Sequence, residues 1–134
     1  MISRIDHFVI TVRSLEETCS FYERVLGFVR VDMEGLPTAL HFGAQKIHVH
    51  QEDRTFEPKA KAPSSGSADF CLVTDQPLTD FQAHLKANGL TIELGPVKRI
   101  GALGEMSSVY FRDPDGNLVE VGAYEAEVSP ATIA

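Results

Sequence analysis

Polar and hydrophobic residues alternate at the start of the chain and then change to a helical period. Residues 5–12 alternate, with apolar side chains on one side of a predicted strand and His7 on the other. From Ser14, which begins a capping-box pattern, apolar residues recur three and four positions apart until Gly27. The pattern predicts a strand followed by one helix over residues 14–26. Three short strands are predicted next, near residues 28–33, 38–43 and 46–51.

The second half of the chain repeats this order after an irregular segment. Residues 57–67, EPKAKAPSSGS, show neither period and predict an exposed loop. A strand over residues 68–74 is followed by a helix that we expect to be capped by Asp75 and to end near Gly89. The remaining strands are predicted near residues 91–94, 106–112 and 118–123, and residues 125–134 are expected to form a loose tail.

The pattern therefore predicts a single α+β domain of two βαβββ modules. The modules span about residues 1–55 and 66–124 and are joined by the loop at 57–67. Because one helix covers only one face of a four-stranded sheet, two such units are expected to join into a larger curved sheet. The helices would cover its outer face, and its inner face would enclose a pocket.

Composition and charge narrow the class of function. The 134 residues carry a net charge of −7 and are 43% hydrophobic, an ordinary globular balance in which a nucleic-acid role is disfavoured. No apolar run approaches the roughly 20 residues of a membrane span and no secretion signal is evident, so we expect a cytoplasmic protein without a membrane partner. The two cysteines, Cys19 and Cys71, cannot form a disulfide framework and fit a reducing compartment.

Residues 110–121, YFRDPDGNLVEV, combine a tight turn with a strand that carries one carboxylate. The turn formers of DPDGN predict a hairpin between two strands. In the second strand Val119 and Val121 share one face, and Glu120 lies on the other. If that face lined a cavity, an unpaired carboxylate there would be costly and would need a cation, a partner or a proton.

Other polar residues fall on strand faces that the predicted helices leave uncovered. His48 and His50 lie on the cavity side of their strand or at its rim, because Ile47 and Val49 take the helix side. Mixed imidazole and carboxylate ligands suit a divalent ion such as Fe, Mn, Ni, Co or Zn, with open positions for water or substrate. The four candidate metal ligands, one from each of four strands, are His7, His50, Asp69 and Glu120.

Each of these residues also has a simpler interpretation. His7 is near the start of the chain and fits a surface position. His48 and His50 fit the polar side of an edge strand, and Asp69 fits a loop or capping position after the flexible SSGS segment. The pattern alone therefore leaves both interpretations open.

The chain resembles the vicinal oxygen chelate superfamily, also called the glyoxalase/bleomycin resistance/dioxygenase family. The resemblance is carried by IDHFVITVRSLEETCSFYERVLGF near the start and FRDPDGNLVEV near the end. QKIHVH, FEPKA, CLVTD and GPVKRIGALG are similar to the subgroup named glyoxalase domain-containing protein 5, whose bacterial relatives are described as lactoylglutathione lyase-like or dioxygenase-like. The resemblance implies a U-shaped half-barrel around a divalent metal, usually in a homodimer.

The same resemblance implies a set of metal ligands. His7 matches the first-strand ligand and Glu120 the last-strand glutamate of the family. His50 falls where glyoxalases commonly have a glutamate, and Asp69 stands where a histidine is common. The Asp69 departure counts against a ring-cleaving dioxygenase, which usually uses two histidines and one glutamate.

The activity implied is that of a metal-dependent glyoxalase-like lyase or isomerase. It would act on a small oxygenated metabolite chelated through neighbouring oxygens, with Glu120 as the general base. The alternatives are an Fe(II) extradiol dioxygenase of the catechol type and a non-catalytic drug or metabolite binding protein of the bleomycin-resistance type. We expect Lys98 and Arg99 to lie in a glycine-rich loop that closes as a lid. The residues expected to contact the substrate are His48, Cys71, Lys98 and Arg99.

Overall fold

The computed structural model describes residues 1–125, and the predicted tail beyond Glu125 lies outside the described residues. The chain forms two compact units. Among the described residues, unit 1 contains 1–68 and 113–117, and unit 2 contains 69–112 and 118–125. Each unit has one helix and a mixed four-stranded sheet, so the predicted α+β class with paired βαβββ modules is confirmed.

The elements of unit 1 are β1 His7–Val12, α1 Leu15–Leu26, β2 Val29–Val31, β3 Thr38–Phe42 and β4 Gln45–Gln51. Those of unit 2 are β5 Asp69–Val73, α2 Leu78–Ala87, β6 Leu94–Gly101, β7 Gly104–Arg112 and β8 Leu118–Tyr124. Within residues 1–125 neither helix has the length and apolar character needed to cross a membrane.

The two sheets have the same topology. The strand order is β1-β4-β3-β2 in unit 1 and β5-β8-β7-β6 in unit 2. In each sheet the first strand of the module pairs in parallel with the last, and the other pairs are antiparallel. A position in one module therefore has a defined counterpart in the other.

Helix α1 begins and ends as its sequence predicts. The Ser14 hydroxyl accepts a hydrogen bond from the backbone N–H of Glu17 at 3.2 Å, which satisfies one free donor of the first turn. Gly27 ends the helix at φ +70°, a conformation that a side chain would strain. The buried side of the helix contributes Cys19, Tyr22 and Val25 to the core of unit 1.

Helix α2 begins later than predicted, and Asp75 is not its cap. The helix starts at Leu78, and Pro77 precedes it in an extended conformation without a capping side chain. A residue before proline is disfavoured in the helical region, so Gln76 cannot continue a helix from Asp75. The N–H of Gln76 instead donates to the Thr74 hydroxyl at 3.2 Å.

Strand β6 differs most from prediction. The strand was expected near residues 91–94, but it spans Leu94–Gly101 and pairs with β7. The loop was predicted from the glycines of this segment, Gly95, Gly101 and Gly104. Pro96 is accommodated where the register with β7 shifts, and β6 is an edge strand that tolerates a missing N–H. The predicted lid is therefore wrong, because Lys98 and Arg99 belong to a paired strand.

The predicted DPDGN turn joins β7 to β8 and packs within unit 1. The buried Asp113 carboxylate accepts from the Tyr22 hydroxyl at 2.8 Å and from the backbone N–H groups of Asp115 and Asn117 at 2.9 Å each. Arg13 donates from Nε to Asp115 at 2.8 Å. Paired in this way, the carboxylates of the turn hold it in place and remain satisfied although buried.

Candidate metal and substrate site

The histidines of strands β1 and β4 lie on the face of the sheet that α1 leaves uncovered. Ile47 and Val49 are fully or almost fully buried on the other face. The parallel register pairs Val9 with His48 and Thr11 with His50, so His7 shares a face with both histidines. The predicted orientation of this strand is confirmed.

His7 and His48 are in direct contact. Their rings meet edge to face, with centroids 4.8 Å apart. His7 also lies 2.8 Å, through Nδ1, from an Asp6 carboxylate oxygen, and this hydrogen bond is the main cause of a lowered pKa at Asp6. With Nδ1 occupied, the free lone pair of a neutral His7 is on Nε2, as in a metal-binding histidine oriented by a carboxylate.

The second imidazole, His48, has one nitrogen without a partner. Its Nδ1 is buried and has no hydrogen-bond partner within the described chain. Burial, and then the positive charge of Lys46, lower the pKa of His48, while a hydrogen bond to the Pro37 backbone opposes that shift. A neutral imidazole with a buried, unused lone pair is unusual unless something binds there, and it is the form that coordinates metals.

His50 is separated from His7. Its partner in β1 is Thr11, four residues beyond His7, or about 13 Å along the strand. The His50 side chain is almost fully buried, and its ring lies 5.6 Å from that of Phe56. Burial, followed by the charge of Lys59, lowers the pKa of His50. The structure thus brings His48, and not the predicted His50, next to His7.

His50 lines a pocket of about 180 Å³ within unit 1. The segment before β5 forms much of its wall, where the Ala68 N–H donates to the Asn117 side chain at 2.9 Å. Gly66, at φ +80°, allows this approach, because a Cβ there would lie 2.6 Å from the Asp115 carbonyl oxygen. The lining residues are Val9, Ile10, Thr11, His50, Pro58, Lys59, Ala60, Ala62, Pro63, Ser64, Ser67, Ala68 and Asn117.

In unit 2, Glu120 lies on the face that carries Asp69 and Cys71. The parallel register pairs Cys71 with Glu120 and Asp69 with Leu118. Burial, the negative charge of Glu120 and a hydrogen bond to that carboxylate raise the pKa of the Cys71 thiol to about 12. The thiol is therefore protonated at neutral pH, which makes Cys71 a poor nucleophile, and its Sγ donates to the Leu72 carbonyl at 3.7 Å.

The two units repeat one arrangement of polar side chains. His7 pairs with Lys46, two residues before His48, just as Asp69 pairs with Leu118, two residues before Glu120. His48 is therefore the counterpart of Glu120, and His7 of Asp69. The sequence contains a signal for this, since both residues stand between two β-branched residues in the last strand of their module, in IHV and VEV.

The predicted substrate residues Lys98 and Arg99 lie on opposite faces of β6. Lys98 pairs with Glu125, on the face opposite Glu120. Arg99 lies on the Glu120 face and donates from Nε to the Tyr110 hydroxyl at 2.9 Å. Tyr110 is directly opposite Glu120 in the β7–β8 register and was not among the predicted site residues.

Within residues 1–125, no three His, Cys, Asp or Glu side chains are grouped so that they would hold a metal ion. Unit 1 contains His7 and His48, and unit 2 contains Asp69 and Glu120. Two imidazoles and two carboxylates are the donor types that divalent first-row metals accept, and the unused Nδ1 of His48 fits such a ligand.

Comparisons with known proteins agree with the fold. The model of the Glyoxalase/Bleomycin resistance protein/Dioxygenase superfamily matches residues 4–121. Virulence protein STM3117 of Salmonella typhimurium is 50% identical over 124 residues, covering 92% of this chain and 86% of its own. Its crystal structure has a TM-score of 0.90 and 50% identity, with 92% of this chain and 98% of that chain covered.

Two further relatives are similar. Glyoxalase domain-containing protein RDO1 of Mycosarcoma maydis is 44% identical over 92% of this chain and 70% of its own. The integron cassette protein VCH_CASS1 of V. cholerae is 50% identical with a TM-score of 0.91, covering 93% of this chain and 98% of that chain. The closer resemblance to glyoxalase domain-containing protein 5 stays a prediction. The family match includes both donor pairs, and the chain belongs to the glyoxalase/bleomycin resistance protein/dioxygenase superfamily.

Proposed function

We propose that the protein is a divalent-metal-dependent lyase or isomerase of the glyoxalase type, acting on a small oxygenated metabolite through two neighbouring oxygens. The observation that carries the proposal is the repeated donor arrangement, in which His7 and His48 correspond to Asp69 and Glu120. Membership of the superfamily supports the same reaction class.

The proposed ligands are His7, His48, Asp69 and Glu120. This set replaces the predicted His50 by His48, which contacts His7 and has a free ring nitrogen. Two neutral imidazoles and two carboxylates would balance the charge of one divalent ion. Fe, Mn, Ni, Co and Zn all accept these donors.

A bound ion would supply Lewis acidity to two neighbouring oxygens of the substrate. Glu120 would take the proton from the adjacent carbon as the general base. Cys71, whose pKa is raised to about 12, would stay protonated beside Glu120 and would not compete for that proton. Asp69, exposed on the same face, would be the second carboxylate ligand.

His50 has a different role in this proposal. It shares a face with His48 and stands two residues farther along β4, inside the pocket of about 180 Å³. A neutral imidazole there has one donor and one acceptor nitrogen for a bound molecule. We therefore assign His50 to substrate binding and not to the metal.

We expect the site to form in a homodimer. The two donor pairs belong to different units of the chain, so four ligands require one pair from each unit. The two pairs come either from one chain or from two copies in a C2 dimer, in which each copy would contribute one pair to each of two sites.

Metal content tests the proposal. Elemental mass spectrometry would be performed on untagged parent protein and on His48→Ala, Glu120→Ala and His50→Ala, each reloaded with Mn, Fe, Co, Ni or Zn. We expect near-stoichiometric metal in the parent and in His50→Ala and large losses in the other two variants. If His48→Ala kept its metal and His50→Ala lost it, His50 would be the ligand instead of His48. If the parent protein bound no metal, the proposed metal site would be wrong.

Activity then separates the reaction classes. The metal-loaded parent would be assayed with hemithioacetals of 2-oxoaldehydes and, as the Fe(II) form, with catechols in an oxygen electrode. Isomerisation of the hemithioacetal by the parent, and its loss in Glu120→Gln, would support the proposal. Oxygen uptake with catechols would favour the dioxygenase, and tight ligand binding that chelators leave unchanged would favour the binding protein.

A further inference from the structure

Arg99 is held in a fixed position by Tyr110, although its side chain is exposed. Its Nε donates to the Tyr110 hydroxyl at 2.9 Å, and its central guanidinium carbon lies 5.4 Å from the centroid of the same ring. An exposed arginine normally moves among many rotamers. The hydrogen bond and the cation–π contact together orient this guanidinium before any ligand arrives.

The orientation leaves one edge of the guanidinium free. Nη1 donates to the Lys98 carbonyl at 3.2 Å, so two of the five N–H donors of Arg99 are used. Within residues 1–125 the remaining donors, on Nη1 and Nη2, have no acceptor. Two parallel N–H groups of this kind match the two oxygens of a carboxylate.

The free edge lies on the same face as the proposed general base. Tyr110 is directly opposite Glu120 across β7 and β8, and Arg99 reaches Tyr110 from β6. Arg99 pairs with Met106, and its side chain extends along the sheet to the Tyr110 ring, so the guanidinium lies over β7. Only one strand spacing, about 5 Å, separates β7 from the strand of Glu120. A ligand that touches both Arg99 and Glu120 would cross that spacing.

The other cations of these strands already have partners. Arg112, on the same face as Arg99, forms two hydrogen bonds of 3.0 Å to the Glu93 carboxylate. Lys98 pairs with Glu125 on the opposite face. Arg99 differs from both because no carboxylate within residues 1–125 compensates its charge.

We propose that Arg99, positioned by Tyr110, binds a carboxylate of the substrate. The substrate would then be a small oxygenated acid whose carboxylate lies about 5 Å or slightly more from the atoms near Glu120, since one strand spacing separates Tyr110 from Glu120. This assignment of a substrate class rests on the proposed function, whereas the carboxylate subsite itself does not. A planar fork of donors fits a carboxylate or a phosphate. The carboxylate is favoured because Lys98 and Arg112 already have carboxylate partners, so Arg99 supplies a single positive charge, which balances one carboxylate.

The subsite is tested first without metal. Benzoate, inorganic phosphate and benzamide would be titrated into metal-free protein, with backbone and arginine side-chain ¹⁵N shifts as the readout. We expect benzoate to shift the Arg99 Nε signal and the amides of β6 and β7 in the parent and in Lys98→Gln, but not in Arg99→Gln. No response in the parent, an equal response in Arg99→Gln, or tighter binding of phosphate would overturn the proposal.

A second experiment tests whether one ligand can bind the Arg99 subsite and the metal at the same time. Hydroxamates with chains of about two to five methylenes, which cover one to two strand spacings, would end in either a carboxylate or a carboxamide. In metal-loaded protein we expect the carboxylate to bind at least about tenfold more tightly, and the preference to vanish in Arg99→Gln and persist in Lys98→Gln. If benzoate binds but neither hydroxamate does, the subsite stands and the proposed metal chemistry fails.

Tyr110 is a positioning residue in this proposal. Tyr110→Phe keeps the ring but loses the hydroxyl that holds Nε, so the carboxylate preference should fall several-fold while carboxamide binding stays unchanged. An unchanged preference in this variant would remove Tyr110 from the subsite. A fall in the binding of both probes would point to a merely structural role.

Discussion

The imidazoles of His7 and His48 meet edge to face, with centroids 4.8 Å apart and planes inclined by 66°. This contact joins the first and last strands of unit 1 at the position where Asp69 and Glu120 occupy the same strands of unit 2. The correspondence, and not the type of residue, identifies His48 as the donor that pairs with His7.

Asp6 should support metal binding through His7. Asp6→Asn weakens the hydrogen bond that orients the ring, so we expect the dissociation constant for the metal to rise about 10- to 100-fold. Isothermal titration with Zn or Co would measure it. Asp80→Asn, at an exposed position of α2, is the control with the same change of charge. Equal affinities in the two variants would show that Asp6 does not orient His7.

Mixing two defective chains tests whether the site is shared between copies. His7→Ala and Glu120→Ala are each expected to lose metal, but a heterodimer of the two would contain one intact site if each site takes one pair from each chain. After unfolding and refolding an equimolar mixture, we expect about a quarter of the parent metal content, as random C2 pairing requires. Recovery no greater than that of the separate variants would mean that both pairs come from one chain.

Cys71 should report the charge of Glu120. With a pKa of about 12, roughly one thiol in ten thousand is ionised at pH 8, and alkylation by iodoacetamide should be slow. Because the Glu120 charge helps to raise that pKa, Glu120→Gln should lower it, increase the thiolate fraction and speed alkylation.

Mass spectrometry of the modified peptide measures the rate at Cys71 alone, since Cys19 is fully buried in the folded chain. Glu93→Gln removes a carboxylate that Arg112 already neutralises and serves as the control. If both variants react at the parent rate, the Glu120 carboxylate does not influence the thiol.

Tyr22 should contribute to stability through its hydroxyl. Tyr22→Phe leaves the buried Asp113 carboxylate with one donor fewer, so we expect the free energy of unfolding to fall by about 1–3 kcal/mol. Tyr110→Phe, at a half-buried position, should change it by no more than about 0.5 kcal/mol. Urea denaturation monitored by circular dichroism measures both. Similar losses in the two variants would argue against a special role for the Tyr22–Asp113 bond.

Much of the fold follows from local patterns in the sequence. The alternation around His7, the Ser14 cap and the DPDGN turn each act over a few residues, so their outcome was predictable. Strand β6 was not predictable in the same way. Pro96 is acceptable there because β6 is an edge strand, and a strand's position in its sheet depends on pairing with residues far away in the sequence.

The candidate site shows the same limit. The alternation of side chains along a strand predicts that His48 and His50 share one face of the sheet. Which of the two lies beside His7 depends on the register of β1 against β4. Tyr110 was not predicted for a related reason. Its contact with Arg99 and its place opposite Glu120 depend on the pairing of β6, β7 and β8, which the local sequence pattern does not specify.

The DPDGN turn also limits how this chain can be divided. Although β7 and β8 on either side of it belong to unit 2, residues 113–117 belong to unit 1, where Asp113 accepts the Tyr22 hydroxyl. A gene fragment ending at Ala68 would therefore encode a unit with a buried tyrosine hydroxyl lacking its acceptor. Splitting, duplicating or permuting the gene at that boundary would require the missing five residues to be supplied again.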